Sequence, residues 1–137
     1  MNIIIGKNSS LTRSLNTELK ETVILSANSS NLTGKLKVYK NKKINLIINN
    51  FYPAYKINTI GNKDYANFNK LSLKVIIDIF ANLKPKNINK IIYTSSSSVF
   101  IIPQNINNFD GDTFNRYLQG AFKIAAEALV SNFSRKN

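Results

Sequence analysis

The stretch "MNIIIGKNSSLTRSLNTELKETVIL" (residues 1–25) decides the fold. Asn2 to Ile5 form a short apolar run stopped by Gly6, as a buried strand would be. The next residues carry Leu11, Leu15 and Leu19 at helical spacing, with Ser9 or Ser10 able to cap the helix start. "TVIL" (22–25) then returns as a second apolar strand. Two strands joined through a helix form a βαβ unit, whose strands run parallel.

The rest of the chain repeats this alternation. "SANSSNLTGK" reads as a loop, "KLKVYK" as a weak strand, and "INLIIN" (44–49) as a well-buried one stopped by Asn50 and a turn at Pro53. In "ANFNKLSLKVIIDIFANL", the residues Leu71, Val75, Ile76, Ile79 and Leu83 make one helical stripe that ends before Pro85. "INKIIYTSSSSVF" is a fifth strand running into a serine-rich loop, and a last helix spans about residues 113 to 133 with Ala125, Ala126 and Leu129. The expectation is α/β: a doubly wound, Rossmann-like parallel sheet in a single domain covering 1–137.

Composition narrows the chemistry. Without cysteine or histidine, there are no thiolate metal sites, disulfides, cysteine nucleophiles or Ser-His-Asp triad. The net charge of +12 would suit a nucleic acid. However, it is mostly lysine scattered among asparagines, concentrated only in "YKNKK" (39–43) and "KPKNINK" (84–90), so a nucleic-acid role is disfavoured. The start has too short an apolar run for a signal peptide, and no later run approaches a membrane span; a cytoplasmic location is the expectation.

Three segments could carry chemistry. In the turn "GKNSSLTRSL", a spacing of three places Gly6, Ser9 and Thr12 where a dinucleotide-binding turn has glycines. Hydroxyls and the charges of Lys7 and Arg13 could still favour a phosphate at the helix start formed by Ser10 and Leu11, although a plain capped helix reads the same way. The serines after "IIYT" follow a parallel strand, where such sheets hold ligands, or else make a polar loop. Gln119, Lys123 and Glu127 are spaced four and four on one helix face, as in an ordinary surface Lys-Glu pair.

Taken in order, these segments resemble the short-chain dehydrogenase/reductase superfamily, specifically its extended branch of NAD-dependent epimerases and dehydratases acting on nucleotide sugars. "MNIIIGKNSSLTRSL" looks like the family's opening strand and glycine-rich turn. "LIINN" looks like its fourth strand, "INKIIYTSSSSVF" like its serine-bearing strand, and "QGAFKIAAE" like its "YGxSKxAAE" helix. The resemblance implies a substrate-orienting serine at Ser96, a ribose-binding lysine at Lys123 and a proton-transferring tyrosine at the position of Gln119. It also implies a cofactor, NAD or NADP, held by Gly6, Lys7, Ser9, Ser10, Leu11, Thr12, Arg13, Asn50, Thr94 and Lys123.

The departures from the family pattern are specific. Glutamine does not titrate near neutral pH, so it cannot act as a general acid or base. Tyr117 is no simple substitute: a residue four before Lys123 lies about 40° away in helical projection, and one six before lies about 120° away. No Asp or Glu occurs between Thr22 and Lys63 to hold the adenosine ribose; Ser26 and Asn28 stand there instead. The chain also stops after the lysine-bearing helix, where the family continues into a substrate-binding region. The expectation is therefore a catalytically impaired domain that binds a nicotinamide dinucleotide weakly or not at all, with a nucleotide sugar as the family's substrate. The alternatives are an active oxidoreductase or epimerase using Tyr117 or a partner chain, and a non-catalytic interaction module, either of them in a homo-oligomer or with a completing partner.

Overall fold

A computed structural model of the chain describes residues 1–49, 62–95 and 118–135. Four strands form one parallel sheet in the order β2-β1-β3-β4: β1 (Asn2–Ile5), β2 (Thr22–Leu25), β3 (Ile44–Ile48) and β4 (Ile88–Tyr93). Between them run α1 (Ser10–Glu18), α2 (Leu32–Lys37), α3 (Asn62–Asn69) and α4 (Val75–Asn82), and α5 (Leu118–Ser134) follows β4. The parallel, Rossmann-like α/β expectation holds.

Strand periodicity explains both layers. Alternate residues point to opposite faces of a sheet. Ile3, Ile5, Ile44, Leu46 and Ile48 join one core with Leu32 and Leu36 of α2, Ile76 and Ile79 of α4, and Ala126 and Val130 of α5. Ile4 and Ile47, paired in register, are buried on the other face, where Leu15 of α1 and Leu19, the residue that caps its C-terminus, flank a cavity against β3 and β4. Each such isoleucine contributes roughly 1.5–3 kcal/mol relative to an exposed one. The helical layer is further joined by stacked rings, Phe68 on Phe122 at 6.1 Å and Phe80 on Phe133 at 3.8 Å between centroids.

The structure corrects the sequence reading in three places. "KLKVYK" is not a strand: Leu32 and Leu36, one helical turn apart, are both buried and draw residues 32–37 into α2, while Val38 is left exposed. The sheet consequently has four described strands, and the serine-bearing one is the fourth. The long helical stripe is interrupted by a π-helical turn at Lys70–Lys74, whose extra residue rotates the stripe so that Ser72 is fully buried and Leu71 only half-buried. On α1 the fully buried side chain is Thr12, whereas Leu11 is 44% exposed.

Candidate functional site

The order of connection switches sides between β1 and β3, and open α/β sheets hold ligands outside the carboxyl ends of the strands at such a point. Gly6, Asn49 and Thr94 lie side by side just past β1, β3 and β4. Backbone bonds continue the ladder there: Gly6 N–H donates to Leu25 O (2.8 Å), Asn49 N–H to Ile5 O (2.8 Å) and Thr94 N–H to Ile48 O (3.0 Å). Gly6 adopts φ +123°, and a Cβ at this position would lie 1.9 Å from the backbone oxygen of Asn49. Only glycine fits.

Thr12, fully buried, donates its hydroxyl to Gly6 O at 2.6 Å and so fastens α1 to the end of β1. Ser9 caps α1, accepting from Thr12 N–H (3.0 Å) while its own hydroxyl donates to Thr12 Oγ1 (3.1 Å). The Asn49 amide nitrogen donates to Thr12 Oγ1 (2.8 Å) and to Ser9 Oγ, and its Oδ1 accepts from Thr94 Oγ1 (3.1 Å). The Ser9 and Thr12 hydroxyl protons each have one acceptor, while that of Thr94 lies between Asn49 Oδ1 and the more distant Ile48 O (3.3 Å).

At its far end Lys123 of α5 is 2% exposed and donates from Nζ to Thr94 O at 2.6 Å, with the amine 4.5 Å from the centroid of the Tyr93 ring. Burial lowers its pKa from 10.5 to about 8, against an opposing pull from the Glu127 carboxylate. Glu127 in turn accepts from Ser95 Oγ. A lysine brought this close to neutrality can donate hydrogen bonds as a cation or serve as a neutral amine.

The structure brings Gly6, Ser9, Thr12, Thr94 and Lys123 into one connected array. Lys7, Ser10, Leu11 and Arg13 are exposed around the same turn and do not join it. Gln119 lies on α5 one turn before Lys123. Ser96, Tyr117 and Asn50 lie outside the described residues. The residue that sequence reasoning passed over is Asn49. Its only signal is that a polar residue directly ends an isoleucine-rich strand.

The two lysine-rich stretches meet near the opposite, amino-terminal ends of β3 and β4. Lys43 Nζ donates to Lys86 O (2.7 Å), Lys84 Nζ to Asn41 Oδ1 (2.8 Å) and Asn87 Nδ2 to Lys40 O (2.8 Å). Several of these polar groups therefore tie two connections together, a role that composition does not reveal. Among the described residues no helix is long and apolar enough to cross a membrane, and no group of acidic side chains could hold a metal ion.

This architecture defines a parallel, Rossmann-like α/β fold. Three solved structures share this fold. A dTDP-4-dehydrorhamnose reductase from Clostridium acetobutylicum superposes with a TM-score of 0.70 at 21% identity, over 99% of this chain and 51% of its own. The UDP-glucose 4-epimerase of Thermus thermophilus, in complex with NAD, gives 0.70 at 10% identity over 99% and 51%. A short-chain dehydrogenase/reductase superfamily protein of Agrobacterium tumefaciens with bound NAD gives 0.71 at 12% identity over 100% and 46%. The chain spans about half the length of these proteins. No protein-family model matches the sequence, and no curated protein matches it.

Proposed function

We propose that the chain is an NAD(P)-binding domain of the nucleotide-sugar epimerase/dehydratase type, impaired in catalysis. The observation that carries this reading is the continuous array from the Gly6 turn to the buried Lys123 amine, laid across the carboxyl ends of β1, β3 and β4. The residues fit the phosphates of a dinucleotide. Gly6 removes the Cβ that would block the turn, and the first N–H groups of α1 have no intrahelical partner. Lys7 and Arg13 add positive charge beside them.

Ser10 and Leu11 at the exposed start of α1 would hold the pyrophosphate, Ser9 and Thr12 would shape the turn beneath it, and Thr94 and Lys123 would hold the nicotinamide ribose. The adenosine end has only hydroxyl and amide groups near Ser26 and Asn28, which leaves NAD and NADP both acceptable and the affinity low. The bound nicotinamide would supply a hydride donor or acceptor. On the protein side, Lys123 could orient a ribose, but Gln119 offers no proton-transferring group where the resemblance calls for tyrosine.

Titrating NADH and NADPH into the chain at low and moderate salt, followed by nicotinamide fluorescence, tests the reading. Saturable binding that persists at moderate salt is expected. Binding that salt abolishes would reduce the likeness to fold alone, since a site of mere surface charge is screened. Turnover of a nucleotide sugar by this chain would overturn the impairment.

A second reading, an interaction module, is favoured by one observation. On the α1 face, the register row Ile4–Ile47–Ile92 runs from fully buried to 48% exposed at β4, which has no strand beyond it among the described residues. An apolar row at an open edge recruits another chain. Sedimentation should then show a dimer that Ile92→Lys converts to monomer; a monomeric parent chain counts against this reading.

A further inference from the structure

We infer that Asn49 is a positioning residue that locks the β1–α1 turn and joins it to Lys123, so that the phosphate end and the ribose end of the proposed cofactor site are set by one side chain. The inference rests on the dinucleotide reading above and adds to it a residue that no glycine pattern contains.

Asn49 is only 6% exposed and touches each part of the array. Its backbone N–H holds β1 through Ile5 O, and its backbone oxygen occupies the space beside Gly6 that a Cβ would need. Its amide nitrogen binds both hydroxyls of the turn, Ser9 and Thr12. Its amide oxygen takes the hydroxyl of Thr94, whose carbonyl oxygen in turn holds the Lys123 amine.

An uncharged amide suits this position for a chemical reason. It presents donors on one side and an acceptor on the other, and it does not ionise. A carboxylate would offer only acceptors to the two hydroxyls and would set a negative charge beside a site for phosphates. A leucine would leave Ser9, Thr12 and Thr94 each short of a partner. Glycines in such a turn allow close backbone packing. Here Ser9 and Thr12 carry side chains instead, and the turn's shape depends on the hydrogen bonds they make to Asn49.

The test uses the full chain with NADH as probe, comparing the parent with Asn49→Leu, Thr94→Val and Thr94→Ser well below their melting temperatures. Lys123 is followed in the same chains without ligand by carbon-13 lysine NMR. The groups facing its amine include the Thr94 carbonyl and Tyr93 ring of the β4 end and the Glu127 carboxylate of its own helix. Asn49→Leu and Thr94→Val should each raise the NADH Kd at least tenfold and move the Lys123 titration midpoint by at least half a pH unit. Thr94→Ser, which keeps the hydroxyl that meets Asn49 Oδ1, should recover most of the affinity and of the lysine midpoint that Thr94→Val loses.

A merely structural role would lower the melting temperature without moving the lysine midpoint in the folded chain. If Asn49→Leu does not fold, the Thr94 pair decides. Parent-like affinity or an unmoved lysine midpoint in Thr94→Val overturns the inference while leaving the cofactor reading intact. A parent chain that fails to bind NADH overturns both.

Discussion

Gly6→Ala is expected to cost about 2–6 kcal/mol and to lower the melting temperature by about 6 °C or more. Two penalties add. A non-glycine residue held at φ +123° stores roughly 1–3 kcal/mol of backbone strain. The new Cβ also meets the Asn49 backbone oxygen at 1.9 Å, and that oxygen cannot retreat freely because Asn49 N–H is bonded to Ile5 O. Overpacking of this kind typically adds about 1–3 kcal/mol. Against a domain stability on the order of 5–15 kcal/mol, such a loss brings the fold near its limit.

Gly34→Ala supplies the control. The nearest atom to its added Cβ is the side-chain oxygen of the exposed Asn31, which can swing away. The position lies in α2, where alanine is the better helix former by about 1 kcal/mol. Thermal melts of the two variants should therefore separate widely, and equal losses would refute the steric account of Gly6.

The second large effect is in pH. Lys123 has a folded pKa of about 8 and an ordinary value of 10.5 when unfolded. Below pH 8 both states are protonated, and the folded chain bears the full cost of a buried cation. Between pH 8 and 10.5 the unfolded state binds more protons, so this residue's contribution makes stability rise with pH. Above 10.5 both states are neutral and the cost is gone.

The span is up to about 3 kcal/mol, set by the shift at 1.36 kcal/mol per pH unit. The measurement that isolates this residue is the difference between the parent and Lys123→Met in urea unfolding at pH 7 and pH 10. Methionine has nearly the same length and no charge. The parent should gain on the variant as pH rises, and a difference constant with pH would mean that the amine is well solvated. The same Lys123→Met substitution should weaken NADH binding, because it removes the one buried cation of the array.

Much of this protein could be read from its residues in order. Ile3, Ile4 and Ile5 followed by Gly6 announce a strand buried on both faces and a turn, and "TVIL" after a capped helix makes the pair parallel. Lys123 could be singled out only in combination with the turn and the serine-bearing strand, since a Lys-Glu pair at helical spacing is commonplace. "KLKVYK" misled because its alternation suits a strand locally. The competing pair Leu32 and Leu36 prevails once α4 offers it a surface. The π-helical turn left no sequence signal, and it is what exchanged Leu71 for Ser72 at the buried position.

The four described strands, their parallel class and the glycine-dependent turn were legible in the sequence, because hydrophobic periodicity and the backbone freedom of glycine act within a few residues. Only the tertiary structure decided that Asn49, Thr12, Thr94 and Lys123 form a single hydrogen-bonded array. They lie up to 111 positions apart, from Thr12 to Lys123, and their polar groups needed partners once packing had shut out water.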